Sequence, residues 1–398
     1  MPTPRDSAPS PTAIDLALRG TAVLDQGLVP DALLLIGGED ILFAGPAATA
    51  PVGVDLAALA AEGRLREHDG VILPGLVDVH NHGGGGVSFP DCTRAEDALA
   101  AVAQHRRHGT TSQVASLVTA SAQTLRERID TLAPLVESGE LAGIHLEGPF
   151  LSAARCGAQN PAFLIEADAE LTADLCERSR GTIATMTIAP EVPGAQAAIE
   201  ALAAAGAVPS LGHTDASSAV MTVGIRHSLS ALARDTGRSR VPSATHLFNG
   251  MRPVHHRDPG PALACLDAAA RGEMVVEVIG DGVHTAPETI AHVFALAAPD
   301  HVALVTDAMA AAGMSDGQYR LGELEVTVAD GVATLSEGGS IAGGTAHLIE
   351  VVRLAVEQAG VDLVAAVRAA SIVPARLVGI EDRVGSLVAG KRADVLLA

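Results

Sequence analysis

The chain has 398 residues, and 26 Lys and Arg against 47 Asp and Glu leave a formal net charge of −21. With no basic run to interrupt it, that balance excludes the cationic footprint that binding a phosphate backbone requires, and with it nucleic acid as a partner. Lys391 is the only lysine, so the body of the chain offers none to a Schiff-base aldolase, a pyridoxal enzyme, a P-loop nucleotide hydrolase or a protein kinase.

Apolar residues make up 48% of the chain and aromatic residues only 2%, which predicts an aliphatic, Ala-rich core. Residues 1–20 carry Pro, Ser, Arg and Asp where a secretory leader needs an apolar centre. No uninterrupted apolar run approaches the roughly 20 residues of a membrane span. A soluble, cytoplasmic protein with no membrane partner is expected. Cys92, Cys156, Cys176 and Cys265 form no C-x-x-C pair, as expected of a reduced thiol population.

From the N-terminus to Gly70, short apolar runs at 21–24, 32–36 and 41–43 alternate with turn residues, the pattern of small antiparallel strands. From Val71 the rhythm changes. Apolar, β-rich runs at 71–80, 110–118, 143–150, 183–190, 207–213, 243–249, 275–284 and 302–307 alternate with segments of helical period, among them 94–108, 122–138, 194–205 and 287–297. Eight such pairs in series predict an α/β protein with a closed (β/α)8 TIM-type barrel. Short strands at 319–335 and helices near 345–359 and 363–370 follow. The stretch 385–397 returns to strand character and is expected to rejoin the N-terminal segment. The organisation expected is a small β-sandwich domain made from both chain ends, 1–72 and 380–398, around a barrel at 73–379.

In such a barrel the chemistry sits at the C-terminal mouths of the strands. The first run closes with His80-Asn81-His82-Gly83, whose alternate imidazoles share a face. The third ends at Glu147-Gly148-Pro149, the fifth at Gly212-His213, the sixth at Thr245-His246 and the eighth at Thr306-Asp307. Each alone has an ordinary explanation as a capping carboxylate or a hydrogen-bonded core histidine. Together His80, His82, Glu147, His213 and His246 make a nitrogen-and-oxygen ligand set at one end of the barrel. Asp307, across the mouth, is placed to accept a proton from water. The fourth run holds Met186, Thr187 and Glu191 but no lysine to be carboxylated as a bridge between metals, so a bridging carboxylate must be a native side chain, with Glu147 the best candidate. One or two divalent ions per chain fit this set. Imidazole and carboxylate suit Zn, Fe, Mn or Co without selecting among them.

The order of motifs resembles the N-acetylglucosamine-6-phosphate deacetylases of the amidohydrolase superfamily. The matching stretches are Pro74-Gly75-Leu76-Val77-Asp78-Val79-His80-Asn81-His82-Gly83, His145-Leu146-Glu147-Gly148-Pro149-Phe150, Gly212-His213-Thr214, Thr245 to Met251, His255 to Gly260, Asp281-Gly282-Val283-His284 and Val305-Thr306-Asp307-Ala308. The resemblance covers almost the whole chain. It implies hydrolysis of the acetamide of an amino-sugar phosphate and a homodimer. It also implies Glu147, His213 and His246 as metal ligands, His80 and His82 as a second site, and Asp307 as base and then acid. Asn249, Gly250, Arg257 and His284 would hold the sugar phosphate, Arg257 and His284 acting across the dimer, with Ile341, Ala342 and Gly343 lining the pocket.

One loop departs from that pattern. Where the family usually reads Lys-Gly-Ala-His-Asn-Pro, this chain has Cys156-Gly157-Ala158-Gln159-Asn160-Pro161. Ala158 and Gln159 then stand at the substrate. Gln159 is expected to offer an amide N–H to the acetyl oxygen in place of the family's histidine. The residues also leave open another amidohydrolase activity, such as a deaminase or a deacetylase of galactosamine 6-phosphate or of an unphosphorylated sugar. A sugar-phosphate binding protein without turnover is a further alternative.

Overall fold

A computed structural model describes residues 14–234 and 237–398. Residues 1–13, which the sequence assigns to the small domain, lie outside the described residues. The described chain forms two compact units, one of residues up to 76 together with 381–398, the other of residues 77–380.

The smaller unit is a five-stranded sheet. Its strands are β1 (Leu16–Leu24), β2 (Gly27–Gly37), β3 (Asp40–Pro46), β4 (Leu65–Pro74) and, from the far end of the chain, β16 (Val395–Leu397). The spatial order is β16-β4-β1-β2-β3. β1 pairs antiparallel with β2 and parallel with β4, while β16 runs antiparallel to β4, with Val395 opposite Pro74. The unbroken apolar run 32–36 on β2 follows from burial on both faces: Ala32, Leu34 and Ile36 pack with Leu18, Ile72 and Leu387, and Leu33 and Leu35 with Ile14, Ala17 and Leu59. The two-residue period sends alternate side chains to opposite cores.

The larger unit is the barrel. Its strands are β5 (Leu76–Asn81), β6 (Thr110–Leu117), β7 (Gly143–Glu147), β8 (Ile183–Ile188), β9 (Val208–Leu211), β10 (Ser243–Ala244), β11 (Val275–Ile279) and β12 (Val302–Val305). They lie side by side in chain order and are joined through helices that include 95–107, 122–137, 169–179, 195–204, 218–232, 260–270 and 287–296. The ring closes where Asn81 bridges Ala308 in parallel and Asp307 N–H donates to the His80 carbonyl at 2.9 Å. The continuous run that begins at Val71 is divided in the structure. Pro74-Gly75 ends β4 of the small sheet, and only Leu76 onward enters the barrel. A Pro has no N–H to continue a ladder, and the Gly after it lets the chain change direction.

The helices start where the sequence supplies caps. Ser121 Oγ accepts from Thr124 N–H, and the Asp168 carboxylate from Glu170 and Leu171. Beyond β12, strands β13 (Gly317–Leu321), β14 (Leu324–Ala329) and β15 (Val332–Leu335) form an antiparallel sheet, packed through Leu321, Val326 and Val328 on Met309 and Ala342. No helix among the described residues is long and apolar enough to cross a membrane.

Candidate metal centre and active site

The side chains at the barrel mouth are delivered by a repeated local device. On β9, β10 and β12 the functional residue stands two positions beyond the last strand residue, and there the backbone turns into the left-handed region: φ is 46° at His213, 26° at His246 and 48° at Asp307. Such values are uncommon for residues with a Cβ and cluster where a site over-determines the backbone. His80 and Glu147 need no such turn, since they sit within β5 and at the end of β7. The wall formed by 341–344 comes equally close. Gly344 N–H donates to the Asp307 carbonyl at 2.7 Å, and a Cβ at Gly344 would lie 2.4 Å from the Thr306 oxygen, so only glycine fits.

The six groups converge. His213 Nε2 and His246 Nε2 lie 3.0 and 2.9 Å from Glu147 Oε1 and 3.1 Å from each other. His82 Nε2 lies 3.2 Å from both Glu147 Oε2 and Asp307 Oδ1. His80 Nε2 lies 3.2 Å from His82 Nε2, 3.3 Å from Asp307 Oδ1 and 3.6 Å from Glu147 Oε1. His80, His82 and Asp307 form one group able to hold an ion, and His80, Glu147 and His246 another.

Proton assignments test whether a cation fits. His213 Nδ1 faces the Arg155 carbonyl at 2.8 Å, and a carbonyl can only accept, so that nitrogen carries the proton. His80 Nδ1 likewise donates to Glu277 Oε2 at 3.1 Å. In the neutral rings both Nε2 atoms then present lone pairs to carboxylate oxygens and to other ring nitrogens, an arrangement that only a proton or a metal cation relieves. Ligand atoms about 2.0–2.1 Å from a common ion stand about 2.9–3.3 Å apart in octahedral or tetrahedral geometry. Most of the spacings here fall in that range, and the donor set fits a divalent ion.

The electrostatics carry the same imprint. Burial alone would push His80 down, but Asp307, Glu147 and Glu277 outweigh it and carry it up to about 10. Against the same burial, His82 is raised by Asp307 and Glu147, and His213 chiefly by Glu147. Burial would raise Glu147 and Asp307, yet His213 and His246 hold Glu147, and His80 and His82 hold Asp307, well below the usual carboxylate range. His145, buried and beside His80, is depressed instead, and its ring nitrogens are taken by Ser116 and Thr187. It is a packing histidine.

A cavity of about 310 Å³ opens onto this cluster. Of the residues singled out in the sequence, His82, Glu147, Ala158, Gln159, His213, His246, Asn249, Gly250, His284, Asp307, Ile341 and Gly343 line it. His80 is fully buried beneath. Ala342 points the other way, into the core under β13 to β15. Arg257 is not in this wall: it is exposed on the 255–258 turn, where its guanidinium donates to His256 Nε2 at 2.8 Å. Gln159 lines the cavity, but its amide is directed at Glu147 Oε2, 2.6 Å away.

Gly157, Leu321 and Ser340 complete the wall, and Glu277 and Asp78 support it from behind. Glu277 accepts from both His80 Nδ1 and His246 N–H. Asp78, pushed up to about 6 by burial, accepts from Thr306 Oγ1 at 2.6 Å and ties the first barrel strand to the last. A carboxylate in the middle of Val275-Val276-Glu277-Val278-Ile279 was the available signal for Glu277, because a buried strand carries a charge only when it has a partner. Leu321 sits in a hairpin outside the barrel repeat, and nothing local marks it.

A parallel eight-stranded barrel with buried imidazoles and carboxylates gathered at its C-terminal mouth is the architecture of a metal-dependent hydrolase. Residues 71–398 match the amidohydrolase family. The chain is 34% identical to N-acetylglucosamine-6-phosphate deacetylase of Bacillus subtilis (strain 168), over 83% of this chain and 81% of that one. It is also 34% identical to N-acetylgalactosamine-6-phosphate deacetylase of Escherichia coli O157:H7, over 83% and 85%. Among solved structures, a variant of N-acetyl-D-glucosamine-6-phosphate deacetylase from Mycobacterium smegmatis in complex with N-acetyl-D-glucosamine-6-phosphate superposes with a TM-score of 0.85 at 38% identity, covering 96% of this chain and 94% of that one. The chain belongs to the amidohydrolase family, and within it to the N-acetylglucosamine-6-phosphate deacetylases.

Proposed function

We propose that this chain hydrolyses the acetamide of N-acetylglucosamine 6-phosphate, giving glucosamine 6-phosphate and acetate. The observation that carries the reading is the convergence of His82, Glu147, His213, His246 and Asp307 on one cavity, with His80 directly beneath. His213, His246 and Glu147 would hold one divalent ion, and His80, His82 and Asp307 would hold a second. Such an ion supplies Lewis acidity toward the acetamide carbonyl and toward water at neutral pH.

The chain's own residues do the rest. Asp307 is ionised, held so by the two imidazoles beside it, and its carboxylate takes the proton of the attacking water. The same carboxyl then returns the proton to the sugar nitrogen as the C–N bond breaks, so that acetate and the free amine leave. Glu277 and the Arg155 carbonyl fix the tautomers of His80 and His213, keeping each Nε2 aimed into the site. Asn249, Gly250 and His284 border the same cavity and would bind the sugar phosphate, with the cationic form of His284 favoured by Asp281 Oδ2 at 2.7 Å. Arg257 stands outside its own cavity wall and would reach a phosphate in a second copy, which makes a homodimer part of the proposal.

The test is acetate release from N-acetylglucosamine 6-phosphate, its galacto epimer and the unphosphorylated sugar, with metal-stripped protein reloaded with Zn, Fe, Mn or Co. Turnover of the gluco phosphate above the others supports the reading. A preference for the epimer assigns the chain to the second substrate instead, and no turnover with any ion overturns it.

A further inference from the structure

Gln159 is 4% exposed, and both ends of its carboxamide are engaged. Thr119 N–H donates to Oε1 at 2.7 Å, and Nε2 donates to Glu147 Oε2 at 2.6 Å. Because a backbone N–H needs an acceptor, Thr119 decides which end of the amide faces Glu147. Thr119 Oγ1 in turn donates to the Glu147 carbonyl at 3.0 Å. One residue, two positions beyond β6, thus anchors both the backbone of the carboxylate and the side chain that holds it.

We infer that Gln159 is a positioning residue for Glu147: it pins Oε2 so that Oε1 is presented between His213 and His246. The inference rests on the metal-hydrolase reading above. A glutamate swings about three side-chain torsions, and a donor on one oxygen fixes both its plane and which oxygen points at the imidazoles. A neutral amide performs this without a proton of its own to lose near neutral pH, so the orientation is the same across the range in which histidines titrate. The amide that stands where the family has a histidine therefore acts on the ligand carboxylate rather than on the acetyl group.

The experiment measures zinc affinity of metal-stripped wild type, Gln159→Met and Gln159→Ala by competition with a chromophoric chelator, with kcat and KM determined on the reloaded enzymes. Loss of a partner behind a metal ligand costs about 10- to 100-fold in affinity, and that loss is expected for Gln159→Met, with KM for N-acetylglucosamine 6-phosphate unchanged. Gln159→Ala is expected to lose less, since a water entering the space can donate to Oε2. It also carries the test if the methionine variant does not fold. Unchanged zinc affinity with a raised KM would assign the amide to the substrate and overturn the inference. Unchanged affinity with only a lowered melting temperature would reduce Gln159 to a loop anchor and overturn it equally. Wild type that binds none of Zn, Fe, Mn and Co would remove the metal-hydrolase reading itself, an outcome distinct from variants that bind as wild type does.

Discussion

His213 and His246 approach each other to 3.1 Å through their Nε2 atoms, and both face Glu147 Oε1. Two neutral ring nitrogens do not choose that contact. It is held by left-handed backbone at both residues and is relieved by a cation between them. Stripping divalent ions is therefore expected to abolish acetate release, and reloading to restore it. Calorimetry should show the added ion raising the melting temperature, by about 4 kcal/mol of stability at free ion 1,000-fold above its Kd.

Asp307 is the one carboxylate of the cluster that lines the cavity without a backing hydrogen bond from the amide of Gln159. Asp307→Asn keeps the shape and removes the proton acceptor. Its kcat is expected to fall by about 10² to 10⁴, with the melting temperature of the metal-loaded protein close to wild type. Near-normal turnover in steady-state assays would remove the residue from the mechanism.

Glu277 never reaches the cavity, yet it holds the Nδ1 proton of His80. Glu277→Gln can still accept through its amide oxygen but loses the charge that favours this tautomer. A drop of about 10-fold in metal affinity is expected, at the low end for such partners. Glu277→Leu should lose more, and chelator competition would rank the two.

The pH dependence of substrate binding follows from His284. Burial would lower this imidazole, but the Asp281 carboxylate raises it overall, so it holds its proton to higher pH than an ordinary histidine does. As pH rises through that raised value the cation is lost. KM for the phosphorylated sugar should then climb, while KM for the plain sugar stays flat. Asp281→Asn removes the support and should shift the climb to lower pH.

Packing behind the mouth is as tight as the site in front of it. A Cβ at Gly212, the residue before His213, would lie 2.6 Å from Thr245 Cβ and 3.3 Å from Thr187 Cγ2. Gly212→Ala is expected to cost about 1–3 kcal/mol in denaturant unfolding and to lower metal affinity by moving His213.

Strand and helix periods, and the residue types that end each strand, are properties of neighbouring residues, and the sequence carried them. The eight apolar runs, the return of the C-terminal stretch 385–397 to the N-terminal strands, where only 395–397 forms a strand, His80 and His82 on one face, and the exclusion of a lysine bridge were all legible there. The partners across the barrel were not, because they are set by closure of the ring. Asp78 meets Thr306 across 228 positions, and His80 meets Glu277 across 197. Only that closure decided that Gln159 grips Glu147, that Ala342 turns into the core while Ile341 and Gly343 face the cavity, and that Arg257 lies outside its own wall. A hydrogen bond is directional over about 3 Å, and no local pattern fixes the approach of distant segments to that tolerance.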